Sequence, residues 1–334
     1  MTLQSIDGAE TSQQSRTRSL VRFLERFGLL IVWFAMIAWF GYLRPETFLT
    51  WGNISTILGS QAVLVVMALG LLLPLSANDF DMSAAYTMTL SAMTIAVLNV
   101  NHGVGIGWAI LIALAVGTLV GFINGMIMTV FRIHSLIVTL GSGTFLHGVT
   151  LWVSNSMTIS GIDQKLVNAV IVTRLFGIPL EFYYAIALAA VLWYCFEFTS
   201  FGRRILFVGR GRDVARLSGI NTDRTRVLCL MSSGFFAAFA GVLYTGTQGA
   251  ADPVSGVSYQ LPAFAAAFLG STSIMPGRFN PWGTTLAVYF LVTGITGLVF
   301  LGYGSFIQEM FYGGALVIAV CLSQLVRGRQ QQDF

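Results

Sequence analysis

The chain has 334 residues, of which 55% are hydrophobic and only 10% are charged, and its mean hydropathy is +0.77. So little polar surface cannot cover a water-soluble globule, and the composition therefore excludes an ordinary soluble domain and predicts a protein that lies in lipid. The formal net charge of +4 does not indicate nucleic acid, because eleven of the eighteen basic residues lie in two segments, 1–26 and 199–226. Anionic lipid and protein are the expected partners of these segments.

The first 26 residues are expected to form a basic cytoplasmic tail. Its apolar residues alternate with arginines, a pattern that suits an amphipathic stretch along the inner leaflet. The hydrophobic run 27–43 follows it. This run lacks a small-residue cleavage site and ends with Trp39, Phe40 and Tyr42, so it predicts a retained first span rather than a removed signal peptide.

Hydrophobic runs separated by charges, prolines or Gly and Asn clusters predict ten transmembrane helices, since crossing the hydrocarbon takes about 20 apolar residues. The third and sixth are the weakest, because one contains polar residues and the other is short. The predicted spans are 27–43, 56–77, 82–99, 106–131, 135–154, 183–198, 227–248, 259–275, 282–302 and 306–326.

Ten spans place both termini on the same side of the membrane. With the N-terminus inside, the arginine-rich segment 199–226 and the tail 327–334 also lie in the cytoplasm, as the positive-inside rule requires. We therefore expect an all-α integral membrane protein with cytoplasmic termini, whose residues 27–326 form one transmembrane domain.

Glycines recur every fourth residue at Gly117, Gly121 and Gly125. This spacing predicts close helix packing, within the chain rather than across a dimer.

Two carboxylates, Asp79 and Asp81, interrupt the second and third hydrophobic runs. A charged carboxylate inside a bilayer costs roughly 2.5 to 3.5 kcal/mol on the insertion scale. It must therefore pair with another group, be hydrated or lie near the membrane–water interface. Two interpretations stand side by side. The segment is either a broken helix whose polar groups line a pathway, or a cytoplasmic turn in which Asp79 or Asp81 caps the next helix.

The sequence carries little chemistry. Its one lysine, Lys165, lies in DQKLVN, so a phosphate-binding loop ending in Gly-Lys-Ser/Thr is absent and the chain cannot hydrolyse ATP by that route. HExxH, CxxC and GxSxG are also absent, and His102, His134 and His147 have no partner at metal-ligand spacing. We expect a chain that is not an enzyme, with no catalytic residue, metal or cofactor of its own.

The segment 199–226 carries seven of the seventeen arginines. Its residues 209–211 are expected to be flexible, Asp213 to cap a short helix and Gly219 to stop it. A short cytoplasmic helix between two spans suits the transmission of force from a motor subunit. The residues predicted for this contact are Arg212, Asp213, Val214, Ala215, Arg216, Leu217, Ser218 and Gly219.

The stretch FGRRILFVGRGRDVARLSGIN at 201–221 resembles the permease subunits of ribose-type ABC importers, which share a family with branched-chain amino acid permeases. The likeness continues through AAFAGVLYTGTQGAADPVSGVSYQL and LGSTS, and it includes ANDFDMS, where the family has Gly-Gly-Ile-Asp-Leu-Ser. Two departures stand out. Ala77 and Asn78 replace the paired glycines, with an additional acid at Asp79, and a proline-containing turn at 275–282 replaces a flexible glycine run, which suggests a stiffer turn.

The resemblance implies a permease that pairs with an identical or related copy in a bacterial inner membrane. Its implied partners are cytoplasmic ATPase subunits, which bind ATP and Mg²⁺, and a periplasmic sugar-binding protein. It also implies a coupling helix at 214–219 and matches Asp81 to the family's aspartate. We therefore expect import of a monosaccharide or similar small polar solute by alternating access.

A polar solute needs partners that replace water along its path. The side chains predicted to line the pathway, each of which is also a candidate for ordinary helix packing, are Gln61, Asp79, Asp81, Asn124, Ser142, Thr144 and Gln260.

Two other functions compete with the importer. One is a proton-coupled secondary transporter in which Asp79 and Asp81 carry the proton and a motor subunit is not needed. The other is a scaffold that uses the basic segment only to hold a partner. The short helix bounded by Asp213 and Gly219, together with the family resemblance, counts against the scaffold.

Overall fold

A computed structural model describes residues 26–332 of the chain. The predicted amphipathic tail therefore lies outside the described residues, apart from Arg26. Within them the chain is helical, with a few two-residue strands that pair antiparallel as β1 with β4 and β2 with β3.

In chain order, the helices are α1 Arg26–Leu43, α2 Pro45–Phe48, α3 Trp51–Ser60, α4 Ala62–Ser76, α5 Ala84–Ala96, α6 Ile106–Val130, α7 Ser135–Val153, α8 Gln164–Val167, α9 Leu180–Phe198, α10 Ser200–Arg210, α11 Arg212–Leu217, α12 Thr222–Gln248, α13 Val257–Gly270, α14 Pro281–Phe300 and α15 Phe306–Gln332. The π-helical turns Val97–Asn101 and Asn168–Val172 extend α5 and α8, and the strands are β1 Ile159–Ser160, β2 Arg174–Leu175, β3 Ile178–Pro179 and β4 Ala250–Ala251.

Among the described residues, eight helices are long and apolar enough to cross a membrane. They are α1, the α3–α4 pair, α6, α7, α9, α12, α14 and α15. The predicted third and eighth spans correspond to the shorter helices α5 and α13, of 13 and 14 residues. The chain is thus a multi-pass helical membrane protein, and the total of ten spans stays a prediction.

Helix α4 lies at the centre of the bundle. All 15 of its residues are buried, as expected for a helix that is apolar on every side, and it packs against α9, α12, α13 and α14. The outer helices show the opposite pattern, since only 11 to 22% of the apolar stretch of α1, α6, α7 and α15 is buried. Large apolar side chains such as Trp108 and Phe145 are exposed there, where lipid would solvate them.

Helices α6 and α12 cross closely in this core. A side chain on Gly117 would meet Gly234 and Ala238, one on Gly121 would overlap the Leu230 backbone, and one on Gly125 would lie 2.8 Å from the Val227 Cα atom. Small residues let helix backbones approach in this way. The predicted packing within the chain is confirmed.

The arginine-rich segment 199–226 is more regular than predicted. Its first part forms α10, in which Ile205 and Val208 are buried while Arg203, Arg204 and Arg210 are exposed. The prediction of a flexible stretch at 209–211 is wrong for its first two residues, because Gly209 and Arg210 belong to α10 and Gly209 lies against the Ser76 carbonyl, whereas Gly211 separates α10 from α11. The apolar positions have the helical spacing that favours an amphipathic helix, and this outweighs the low helix propensity of Gly209.

We expect Gly121→Ala to destabilise the protein, because the added methyl group would overlap the Leu230 backbone and overpacking costs about 1 to 3 kcal/mol. The measurement is the melting temperature of the detergent-purified chain. Gly148→Ala on α7 is the matched control, since its methyl group would meet no atom within 4 Å apart from the adjoining backbone of its own helix. A melting temperature of the Gly121 variant equal to that of the control would contradict the close crossing.

Candidate coupling site

Helix α11 is short, and one of its faces packs on the bundle while the other is exposed. Its Ala215 is buried, while Val214 and Leu217 are 60% and 89% exposed. The helix begins after Gly211, so the predicted cap at Asp213 is wrong, and Asp213 instead lies in the first turn without a capping hydrogen bond. Gly219 ends the helix as predicted, with φ of +80°.

The buried carboxylate of Asp79 joins α11 to the bundle. It is 2% exposed and pairs with two arginines of the segment 199–226. Arg226 on α12 donates from Nε to Oδ2 at 2.7 Å and from Nη2 to Oδ1 at 2.8 Å. Arg212 on α11 donates from Nη2 to Oδ1 at 2.9 Å and to the Asn78 carbonyl at 3.0 Å. We call Asp79, Arg212 and Arg226 the ion-pair cluster.

The turn between α4 and α5 presents Asp79 to these arginines. Helix α4 ends at Ser76, and Asn78 adopts a left-handed φ of +57°, a conformation that asparagine tolerates better than most residues. The Asp79 amide then donates back to the Pro74 carbonyl at 2.9 Å. The chain thus makes a turn between α4 and α5 in which Asp79 does not cap α5, and a pathway role for this segment stays a prediction.

Asp81 belongs to a separate buried cluster. Its Oδ1 accepts hydrogen bonds from the Ser83 amide and hydroxyl, and its Oδ2 accepts one from Ser233 at 2.6 Å. Asn124 joins this cluster by donating to the Ser83 hydroxyl at 2.9 Å. Burial raises the pKa of the Asp81 carboxyl, and the hydrogen bonds from Ser233 and Ser83 oppose that rise. Asp81 and Asn124 thus tie α5, α6 and α12 together.

The other predicted pathway residues lie apart from both clusters. Ser142 and Thr144 donate to carbonyls of their own helix, Thr139 and Leu140 respectively. Gln260 on α13 accepts from the Ala85 amide of α5 at 3.1 Å. Gln61 lies at the break between α3 and α4, where it lines a polar cavity.

The burial of two charged residues, Arg226 and Glu181, was not predicted from the sequence. Arg226 was assigned only to the basic segment, but it enters the described core with the first turns of α12. Glu181 on α9 was given no role, yet it is 1% exposed, accepts from Thr247 at 2.6 Å and leaves its Oε1 without a hydrogen bond among the described residues. A lone acid within an apolar run was the available signal.

The predicted stiffness of the turn at 275–282 has a structural counterpart. The Asn280 side-chain amide donates to the carbonyls of Gly270, Ser273 and Arg278, and its oxygen accepts from the Gly283 amide.

Among the described residues, His, Cys, Asp and Glu side chains do not gather in a group of three that could hold a metal ion.

Comparison with known proteins adds the family. Residues 53–320 match the family described as the branched-chain amino acid transport system permease component. The D-allose transport system permease protein of Escherichia coli K12 is 30% identical over 304 residues, which cover 91% of this chain and 93% of the relative. The ribose import permease protein of Bacillus subtilis 168 is 30% identical over 319 residues, or 94% and 98% of the two chains.

The galactose/methyl galactoside import permease protein of Salmonella typhimurium LT2 is 28% identical over 331 residues, again 94% of this chain and 98% of the relative. No solved structure matches the chain. The chain therefore belongs to this permease family, among the ribose-type sugar permeases of ABC importers.

We expect Asp79→Asn to destabilise the protein by about 3 to 5 kcal/mol, because it leaves the largely buried Arg226 without its counter-charge. The double variant Asp79→Asn with Arg226→Gln should recover most of this loss, since the two amides replace the charged pair. Unfolding of the purified chain in denaturant measures both.

The exposed pair of Arg216 and Asp223, 3.8 Å apart, provides the control. Such surface pairs contribute about 0 to 1 kcal/mol, so Asp223→Asn should change little. Equal effects of Asp79→Asn and Asp223→Asn, or a double variant less stable than Asp79→Asn alone, would contradict the ion-pair cluster.

Proposed function

We propose that this chain is the transmembrane permease of an ATP-driven importer in a bacterial inner membrane, and that it imports a monosaccharide or similar small polar solute. Its relatives are named for allose, ribose and galactose transport, which supports the solute class. The further partners are ATPase subunits that bind ATP and Mg²⁺, a periplasmic sugar-binding protein and a second permease copy.

The observation that carries this proposal is the connection of α11 to the core. Leu217 and Val214 offer an exposed apolar contact, while Arg212 on the same helix pairs with buried Asp79. The arginine content of 199–226 favours the cytoplasmic side for this end of the bundle, with both termini also in the cytoplasm. An ATPase dimer that closes on ATP would then draw two copies of α11 together.

Movement of α11 reaches the membrane core through the ion-pair cluster. Because Asp79 follows the end of α4, a displacement of Arg212 acts directly on the turn between α4 and α5. Arg226 holds the same carboxylate against α12, which packs on α4, α5 and α6. Alternating access then follows from the movement of these packed helices between two arrangements.

The geometry of the acids weighs against proton coupling as the alternative. Each oxygen of Asp79 accepts from an arginine, and each oxygen of Asp81 accepts from a serine or its backbone. A proton carrier would have to release these hydrogen bonds in every cycle, and each bond to a charged group contributes about 1.5 to 3 kcal/mol.

Reconstitution tests the function. The chain is purified with its candidate ATPase, placed in liposomes and assayed for ATP hydrolysis with and without a binding protein loaded from a panel of D-allose, D-ribose and D-galactose. We expect stable association and hydrolysis that the loaded binding protein stimulates. Leu217→Asp should abolish the association, because it places a charge in the proposed apolar contact.

Two results would contradict the importer. One is the absence of association with the ATPase, combined with uptake that follows an imposed proton gradient. The other is unchanged association and transport in the Leu217→Asp variant. Size-exclusion chromatography establishes beforehand that each variant is folded.

Arg212→Gln separates coupling from docking. It removes one ion pair of the buried cluster and leaves Leu217 in place, so we expect the ATPase to bind normally while the sugar transported per ATP hydrolysed falls several-fold. Arg210→Gln is the matched control, because it removes the same charge from an exposed residue that forms no ion pair in the described part of the chain. Equal transport by the two variants would exclude the proposed route through Asp79.

A further inference from the structure

A polar cavity of about 280 Å³ lies at the opposite end of α4 from the ion-pair cluster. Four segments enclose it: the α3–α4 break, α13, α14 and α15. A second cavity, of about 620 Å³, lies beside α1 and α15 and is lined mainly by apolar side chains such as Leu29, Val32 and Met310. The two cavities therefore differ in the kind of molecule that they suit.

The lining of the smaller cavity combines amides, hydroxyls and two tyrosines. The residues that carry these groups are Gln61, Ser258, Tyr259, Thr296, Gln308 and Tyr312. Its other lining residues are a serine, a leucine, a proline, a valine and an isoleucine. All eleven side chains are uncharged at neutral pH.

Several of these polar groups have unused hydrogen-bonding capacity. Gln61 donates to the Ser60 hydroxyl at 3.1 Å, but its Oε1 accepts no hydrogen bond from a described residue. The side chains of Thr296 and Gln308 likewise form none with the side chains and backbone that the structure describes. A polar group that faces hydrocarbon without a hydrogen-bond partner costs several kcal/mol. The cavity therefore favours water or a polar solute over a lipid chain.

Two interrupted helices add backbone groups to this lining. Helix α3 ends at Ser60 and α4 begins at Ala62, with Gln61 between them. Pro262 lies inside α13 and has no N–H to donate to the Ser258 carbonyl one turn earlier. Interrupted helices near the middle of the bilayer expose backbone groups to transported solutes, and the 10 residues of α3 span about 15 Å, half of the hydrocarbon thickness.

From these observations we propose that the cavity is a solute-binding site for a neutral polyhydroxylated molecule of monosaccharide size. Its volume of about 280 Å³ is just below the range of about 300 to 1,000 Å³ that small-molecule sites occupy, as a ligand of monosaccharide size requires. The absence of charge in its lining disfavours a zwitterionic amino acid or a sugar acid, because their charges would be desolvated without a partner. The identity of the solute class rests on the proposed importer function, whereas the existence of a polar site does not.

The test uses the full chain alone in detergent, with its three cysteines replaced by serine and Thr296→Cys introduced. A polar maleimide should label this cysteine, and D-allose, D-ribose or D-galactose should slow the labelling. Protection follows 1 + [sugar]/Kd, so a sugar at ten times its Kd slows the reaction about elevenfold. Adding Gln61→Leu should weaken this protection while labelling persists.

Val299→Cys provides the matched control, since it lies one turn further along α14, exposed and outside the cavity. Sugar should not change its reaction rate. The proposal is overturned if Thr296→Cys reacts only with a lipophilic maleimide, if none of the sugars slows its labelling, or if L-leucine slows it as strongly as a sugar does. Because the labelling needs no ATPase, failure of the importer in liposomes would leave protection by sugar intact.

Discussion

The cost of an unpaired polar group in hydrocarbon is the constraint on which this structure depends. Backbone groups meet it through helices, and many serine and threonine side chains meet it by donating to carbonyls of their own helix, as Thr118, Thr129 and Thr245 do. Carboxylates cannot be satisfied in that way. Asp79 is therefore found with two arginines and Asp81 with two serines, so the same requirement that excludes isolated acids also joins segments that are far apart in sequence.

Composition and hydrophobic runs were sufficient to predict the class of fold and the position of most helices. The bounds of α6, α7 and α14 differ from the predicted spans by two residues or fewer, because charges, glycines and prolines mark those ends sharply. The hydrophobic runs at α5 and α13 predicted their helices less well, because these helices are shorter than the predicted spans. Their polar and small residues satisfy one another across the core, as Gln260 does with Ala85, and such pairing cannot be inferred from the hydrophobicity of one segment.

Only part of the site was predicted, because contacts between residues that are far apart in sequence cannot be inferred from local patterns. A short helix that stops before Gly219 follows from local rules, and the structure has it. The partner of Asp79 does not follow, because Arg226 is 147 positions away and appears in sequence as one arginine among seven. Of the seven candidate pathway residues, only Gln61 lies in the lining of the polar cavity. The other six form hydrogen bonds elsewhere in the bundle, and a pathway role for them stays a prediction.

Helix α4 brings the two proposals together. It starts directly after Gln61 at the cavity and ends three residues before Asp79, so its 15 residues span about 22 Å between the two features. A helix buried on every side cannot bend or rotate independently of its neighbours, because close-packed interiors transmit displacement rather than absorb it. If α11 moves, the ion-pair cluster pulls on one end of α4 while the other end bounds the cavity. Coupling then needs no chain of special residues along the way, only a rigid apolar helix with a charged attachment at one end and a polar break at the other.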